Sequence, residues 1–289
     1  MTYGVETKGG FARSDTRESN RGASIALNAS LMKQETIRDR RGYKTGAAIP
    51  FNGLLTNNLL TALPGEDFIS LLPHLEPIFL ACGEDINELS DSPRFVLFPE
   101  TVVISHINVL ENGSTSEAAV IGREGMIGLS AILSSHQTSY WTQVTIAGSA
   151  LRVRTEAVKR EFARGGALQR LLLGYAGASM AQLSQKAVCN NYHAVKERLC
   201  TWLLMIQDRA TDGHLLLTHE QIARHLGVRR AGVTRAANVL RDAGAISYSR
   251  ARISILDRQL LESSACECYQ ILRDEFNRLH RTRNGCGVF

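Results

Sequence analysis

Between Phe51 and Arg154 the apolar residues come in short runs; from Thr155 to Arg209 they recur at helical spacing. The first region opens with NGLLTNNLLTALPGEDFISLLPHL, a helical pattern broken at Pro64 that restarts at GEDF. It continues as EPIFLACGEDI, FVLFPETVVISHINVL, EAAVIG, WTQVTIAG and ALRVR, with turn residues between the runs. Short strands at regular spacing predict a β-roll or jelly-roll over residues 51–160. The ENG in VLENGSTSEAAV predicts a hairpin, because Asn and Gly tolerate positive φ. Residues 161–192 then predict one long helix. Leu168, Leu171, Leu172, Tyr175, Ala178, Ser179 and Leu183 lie along it as a stripe of apolar and small side chains. A long helix with such a stripe between two domains predicts a partner, here a second copy of the chain; the alternative is that the stripe packs on its own domain.

The pattern tightens in LTHEQIARHLGVRRAGVTRAANVLRDAG, Leu217 to Gly244. Thr218 with Gln221 three residues on is a capping box, which starts a short helix. Gly227 suits a turn of positive φ, and Gly244 closes a second helix that begins near Arg230. On that second helix Val233, Ala236, Ala237 and Leu240 form the inward face. Arg230, Ala231, Thr234, Arg235 and Asn238 form the outward one, with no acid before Asp242. Arginine can donate two hydrogen bonds to a guanine edge, and asparagine can pair likewise with adenine. A helix-turn-helix presents the start of its second helix to the bases, so Arg230, Ala231, Arg235 and Asn238 are the candidate base-reading positions. AISYSRARISIL follows as a hairpin, the wing of a winged helix, with Arg250 and Arg252 at its tip suited to phosphate. The winged helix-turn-helix spans residues 193–258. Beyond it, residues 259–289 predict an amphipathic helix whose apolar side is Leu260, Leu261, Ala265, Tyr269, Leu272, Phe276 and Leu279, packed back on the chain.

Charge sharpens this division. Residues 51–160 hold 12 acidic and 6 basic side chains, whereas residues 191–258 hold 11 basic and 6 acidic. The basic segment is the one that suits a polyanion. Residues 1–50 are rich in Arg, Ser, Thr, Gly and Asn and are expected to be a disordered extension. No apolar run reaches the roughly 18–20 residues of a membrane span, and the N-terminus lacks the apolar core of a secretory signal, so no membrane partner and a cytoplasmic location are expected. The six cysteines are scattered and are expected to be free thiols. Cys266 and Cys268 have C-x-C spacing, but no second pair lies nearby in the sequence, so no metal site is expected.

The segment from Leu217 through RISILD, with HLEPIFLACGEDI, VIGREGMIGL and CNNYHAVKERLCTWLLMIQDR, resembles the cyclic-AMP receptor and fumarate-nitrate regulator (Crp/Fnr) family over about residues 52–257. The resemblance implies an α+β chain: a cyclic-nucleotide-binding-like β-roll, a long dimerisation helix and a C-terminal winged helix-turn-helix. It also implies a homodimer on an inverted repeat of double-stranded DNA, working with RNA polymerase, in a subgroup whose effector is generally undefined. Arg230 and Arg235 match the family's two recognition arginines. Ala231 stands where a glutamate is frequent, and Arg229 where Ser or Thr is common. Thr218 and His219 match positions that touch phosphate; Arg229, Thr234, Arg250 and Arg252 join them.

The pocket departs from the family. Gly128 is followed by Leu129 instead of the ribose-binding glutamate, and Thr138, Ser139 and Tyr140 stand near the phosphate-binding arginine's place. Such a degenerate pocket leaves a cyclic phosphate unpaired, so no cyclic-AMP binding is expected. Residues 1–81 lack the cysteines of an iron–sulfur regulator. The GREG run of Gly122–Gly125 is expected to be a turn with Arg123 and Glu124 exposed. The contrasting reading is a β-roll enzyme or binding module of the metal-dependent, cupin-like kind. It lacks its His-x-His motif, because Ile107 and Asn108 follow His106, and no catalytic constellation appears. No catalytic residue, metal or cofactor is therefore expected.

Overall fold

The computed structural model describes residues 55–87, 93–134, 140–210, 214–249 and 251–281. The expected N-terminal extension, Ser139 and Arg250 lie outside these residues. Two short helices, α1 (Asn58–Ala62) and α2 (Gly65–Leu71), precede the strands. The Asn57 side chain caps α1 by accepting from the backbone N–H groups of Leu59 and Leu60.

The roll consists of β1 (Glu76–Leu80), β2 (Asp85–Asn87), β3 (Phe95–Pro99), β4 (Val103–Val109), β5 (Thr115–Ile121), β6 (Trp141–Ile146) and β7 (Gly148–Arg154), with α3 (Leu129–Leu133) before β6. Two antiparallel sheets, in the orders β1-β7-β3 and β2-β6-β4-β5, enclose Leu80, Leu97, Val102, Ile104, Ile121 and Val144. The β4–β5 hairpin turns where the ENG signal places it. Gly113 takes φ of 78°, and the Asn112 side chain accepts from the Ser114 N–H.

Helices α4 (Thr155–Ala163), α5 (Ala167–Tyr192) and α6 (Val195–Gln207) follow. Then come β8 (His214–Leu216), α7 (His219–Leu226), α8 (Arg230–Asp242), β9 (Ile246–Ser249) and β10 (Arg252–Ile255). The last described elements are α9 (Arg258–Ser263) and α10 (Cys268–Arg281). The expected wing is a three-stranded sheet, because β8 adds to the far side of β10. As the pattern predicts, α10 folds back, burying Tyr269, Leu272 and Phe276.

The stripe on α5 needs correcting. Leu168, Leu172, Tyr175 and Ala178 are buried within the single chain, against Leu59, Phe68, Phe98, Leu151 and Val158. Leu171 packs half-buried on the same cluster, and the Ser179 hydroxyl donates to the Tyr175 carbonyl. Val96, Phe98, Leu151 and Val153 of the β1-β7-β3 sheet share one apolar cluster with residues of α1, α2, α4 and α5. What α5 leaves in water is its opposite face, with Leu173 51%, Met180 70% and Val188 44% exposed, and Leu183 at its edge. Periodicity located the helix but could not say which surface covers which stripe.

A single cluster of buried residues runs from the roll into the C-terminal region: Val103 and Val120 join Leu199, Trp202, Leu203, Leu226, Val233 and Leu240. No helix among the described residues is long and apolar enough to cross a membrane.

Candidate nucleic-acid interface

The capping box forms as read. The Thr218 hydroxyl accepts from the Gln221 N–H at 3.2 Å, and the Gln221 side chain takes the Thr218 N–H at 2.8 Å. Gly227 ends α7 at φ 63°. A side chain here would be strained, and its Cβ would stand 2.9 Å from the Ser116 hydroxyl on β5, so the turn needs glycine on two counts. Val233, Ala236, Ala237 and Leu240 are buried. Arg229, Arg230, Ala231, Arg235 and Asn238 are exposed, and the three arginines form no ion pair among the described residues. Arg252, beside the wing tip, is also exposed.

His219 departs from expectation. It is buried, its ring stacks on Tyr248 at 4.1 Å, and Nδ1 lies 3.1 Å from the Thr234 hydroxyl. Thr234 in turn donates to the Arg230 carbonyl at 3.1 Å. Burial, and then the neighbouring Arg230 charge, lower the His219 pKa. The residue joins α7, α8 and β9 instead of offering an edge to phosphate, because its ring is the flat apolar surface that Tyr248 needs.

Residues 197–264 match the Crp-like helix-turn-helix domain. Among solved structures, a putative Crp/Fnr-family transcriptional regulator from Eubacterium rectale is 19% identical, with 71% of this chain and 96% of that one covered at a TM-score of 0.58. FixK2 from Bradyrhizobium japonicum is 18% identical over 66% of this chain and 98% of its own, at a TM-score of 0.57. A CRP-family regulator from Thermus thermophilus, TTHB099, is 18% identical over 65% and 96%, at a TM-score of 0.55. Residues 197–264 thus resemble a Crp-like helix-turn-helix domain, and the chain shares its fold with these solved structures. A search of curated protein sequences returns no match.

In the roll, the side chains around Gly128 and Tyr140 pack on the chain itself. Gly128 precedes α3, and Leu129 leans into the core that also holds Leu172. Tyr140 stacks on His106 at 4.1 Å, with its hydroxyl 3.3 Å from that of Ser130. Burial pulls the His106 pKa down to about 4, against the opposing charge of Glu117. Among the described residues, the group of metal-capable side chains that comes together lies outside the roll.

Two carboxylates prove more important than the sequence suggests. Glu124, expected to be exposed in the GREG turn, is buried; Arg209 of the α6 end meets it at 2.7 Å, while Arg123 alone stays exposed. Glu117 of β5 is buried where the roll meets the Crp-like domain. It takes the Trp202 indole N–H at 2.9 Å and the Ser105 hydroxyl at 2.7 Å. Lys186 of α5 stands 3.6 Å away and His225 of α7 2.9 Å away. Burial pushes the Glu117 pKa up, but His225, Lys186 and Ser105 together outweigh it and hold it below the usual carboxylate range. One side chain thus meets the roll, α5, α6 and α7.

Cysteines scattered through the sequence also come together in the fold. Cys189, His193, Cys266 and Cys268 converge, with their donor atoms all within 4.8 Å of one another. Cys189 and Cys266 are 77 positions apart, so spacing alone could not pair them. The one local signal was Cys189 and His193, a single helical turn apart, beside a C-x-C.

Proposed function

We propose that the chain acts as a homodimer on an inverted repeat of double-stranded DNA, each α8 reading one half-site in the major groove. The observation that carries this is the exposed arginine set at the start of α8, without an ion pair among the described residues and held by a capped helix-turn-helix with a wing beside it. Arg230 and Arg235 address base edges, with Asn238 a turn further along. Ala231 supplies no carboxylate for cytosine, so the half-site differs at that base pair from sites read by a glutamate. Arg229, Arg252 and the exposed Thr218 meet phosphates, with Thr234 behind them; Arg250, outside the described residues, is assigned the same role from the sequence alone. RNA polymerase is the further macromolecular partner, and the chain has no catalytic role. Leu129 and the Tyr140–His106 stack argue for an input other than cyclic AMP.

The dimer contact is the outer face of α5, through Leu173, Met180, Leu183 and Val188. Met180→Glu is expected to give a monomer by analytical ultracentrifugation with an unchanged circular dichroism spectrum. A dimer that survives Met180→Glu and Leu173→Glu together would move the contact elsewhere.

Selection from a random duplex library tests the function directly. The expected product is a two-fold repeat with half-sites one helical turn apart, bound about a hundredfold or more weaker at roughly 200 mM than at 50 mM salt. Enrichment of no sequence would refute it.

A further inference from the structure

We propose that Cys189, His193, Cys266 and Cys268 form a closed, four-coordinate site for one zinc ion, which ties the end of α5 to the start of α10.

The distances suit a single tetrahedral ion. With Zn–S near 2.3 Å and Zn–N near 2.0–2.1 Å, neighbouring sulfurs stand about 3.8 Å apart, and sulfur and nitrogen about 3.6 Å. Here Cys189 Sγ and Cys266 Sγ are 3.6 Å apart, and Cys268 Sγ and His193 Nδ1 are 3.4 Å apart. All four donors point into one small space. A disulfide would need one pair of sulfurs near 2.05 Å. It would also give His193 and the third cysteine no reason to converge. Three thiolates and an imidazole are the soft and borderline donors that zinc takes in structural sites.

The surroundings are those of a built metal site. His193 directs Nδ1 inward while Nε2 lies 3.2 Å from the Glu267 carboxylate, an arrangement that fixes the ring and its tautomer. The Gln185 amide donates to Cys268 Sγ at 3.1 Å, and the Thr201 hydroxyl lies 3.0 Å from Cys266 Sγ. Three thiolates around a dication leave one negative charge. The buried Arg198, within electrostatic reach of Cys189 and Cys266, offsets it. On binding, the three thiol protons pass to solvent and three Zn–S bonds replace three S–H bonds, with no change of oxidation state.

The position gives the site a purpose. His193 is the residue at which α5 ends, and α6 begins at Val195. Arg198 also reaches the Leu226 carbonyl at the end of α7. An ion here fixes the elbow between the long helix and the DNA-binding domain, and pins the tail across it.

The test uses the full-length chain, purified without chelator and freed of any histidine tag. Elemental analysis is expected to find about one zinc per chain. X-ray absorption is expected to show three sulfur neighbours near 2.3 Å and one nitrogen near 2.0–2.1 Å. Cys266→Ser and His193→Ala should each lower zinc at least tenfold, whereas Cys82→Ser, at an exposed cysteine outside the cluster, should leave it unchanged. Should the cluster variants fail to fold, the absorption spectrum of the unaltered protein decides alone. A protein without zinc after exposure to excess Zn²⁺ under reducing conditions would overturn the site. So would an oxygen-rich coordination shell, or zinc retained undiminished in Cys266→Ser.

Discussion

Arg230→Ala with Arg235→Ala is expected to abolish selective DNA binding and leave the fold intact. Both side chains are exposed on α8 and neither forms an ion pair among the described residues, so their removal breaks nothing inside the chain. A bidentate arginine–guanine pair is worth about 1–3 kcal/mol of discrimination, and a dimer uses each arginine twice. Arg235→Ala alone should therefore cost about thirtyfold to twenty-thousandfold on the selected repeat. The double variant should fall to the affinity the protein has for any duplex. Arg229→Ala should behave differently: weaker on all sequences alike, with a shallower salt slope and an unchanged selected motif. Fluorescence anisotropy on the selected repeat and on a scrambled duplex separates the two. Arginine variants that weaken both duplexes equally would return α8 to a general polyanion contact.

The second large effect belongs to Glu117. Glu117→Ala leaves Lys186, His225, Trp202 Nε1 and Ser105 facing a cavity without their shared acceptor. Removing one partner of a buried ionic group typically costs about 3–5 kcal/mol, which should lower Tm by roughly 6–20 °C. Glu117→Gln keeps the shape and removes the charge, so it isolates the ionic part. The pH dependence follows from direction. A carboxyl held below its ordinary value contributes fully above the unfolded pKa, near 4.3, and loses that contribution as pH falls through the lower folded value. His106 acts at higher pH. It is a base lowered from 6.5 to about 4, so the unfolded chain gains a proton first, and stability declines as pH falls from about 6.5 to 4. Thermal unfolding from pH 3 to 7 should therefore show two acid limbs. Glu117→Gln should lose the lower limb and keep the upper one. Identical profiles for the variant and the parent would show that Glu117 carries no charge in the fold.

What the sequence made legible is what short-range rules govern. Thr218, Gln221, Gly227 and Gly244 mark the ends of α7 and α8 through capping and positive φ, which depend on residues a few positions away. The β4–β5 hairpin is readable in ENG for the same reason. The α5 stripe was misassigned because apolar periodicity records that a face is covered, not by what. Glu117 and Glu124 looked like ordinary strand and turn acids, since nothing local signals the arrival of Lys186, His225 or Arg209. His219 fits a phosphate position by pattern, but only the folded wing brings Tyr248 against its ring. The cysteine–histidine cluster draws on α5 and the tail, and no spacing rule spans that gap.

The apolar cluster that takes Val103 and Val120 together with Val233 and Leu240 bears on how such a chain can be rebuilt. A cut at Tyr192, between the long helix and the helix-turn-helix part, would strip hydrophobic cover from both fragments. The two parts are not interchangeable cartridges: any new pairing must evolve across the seam, changing the outer surface of the roll and the underside of the helix-turn-helix part together.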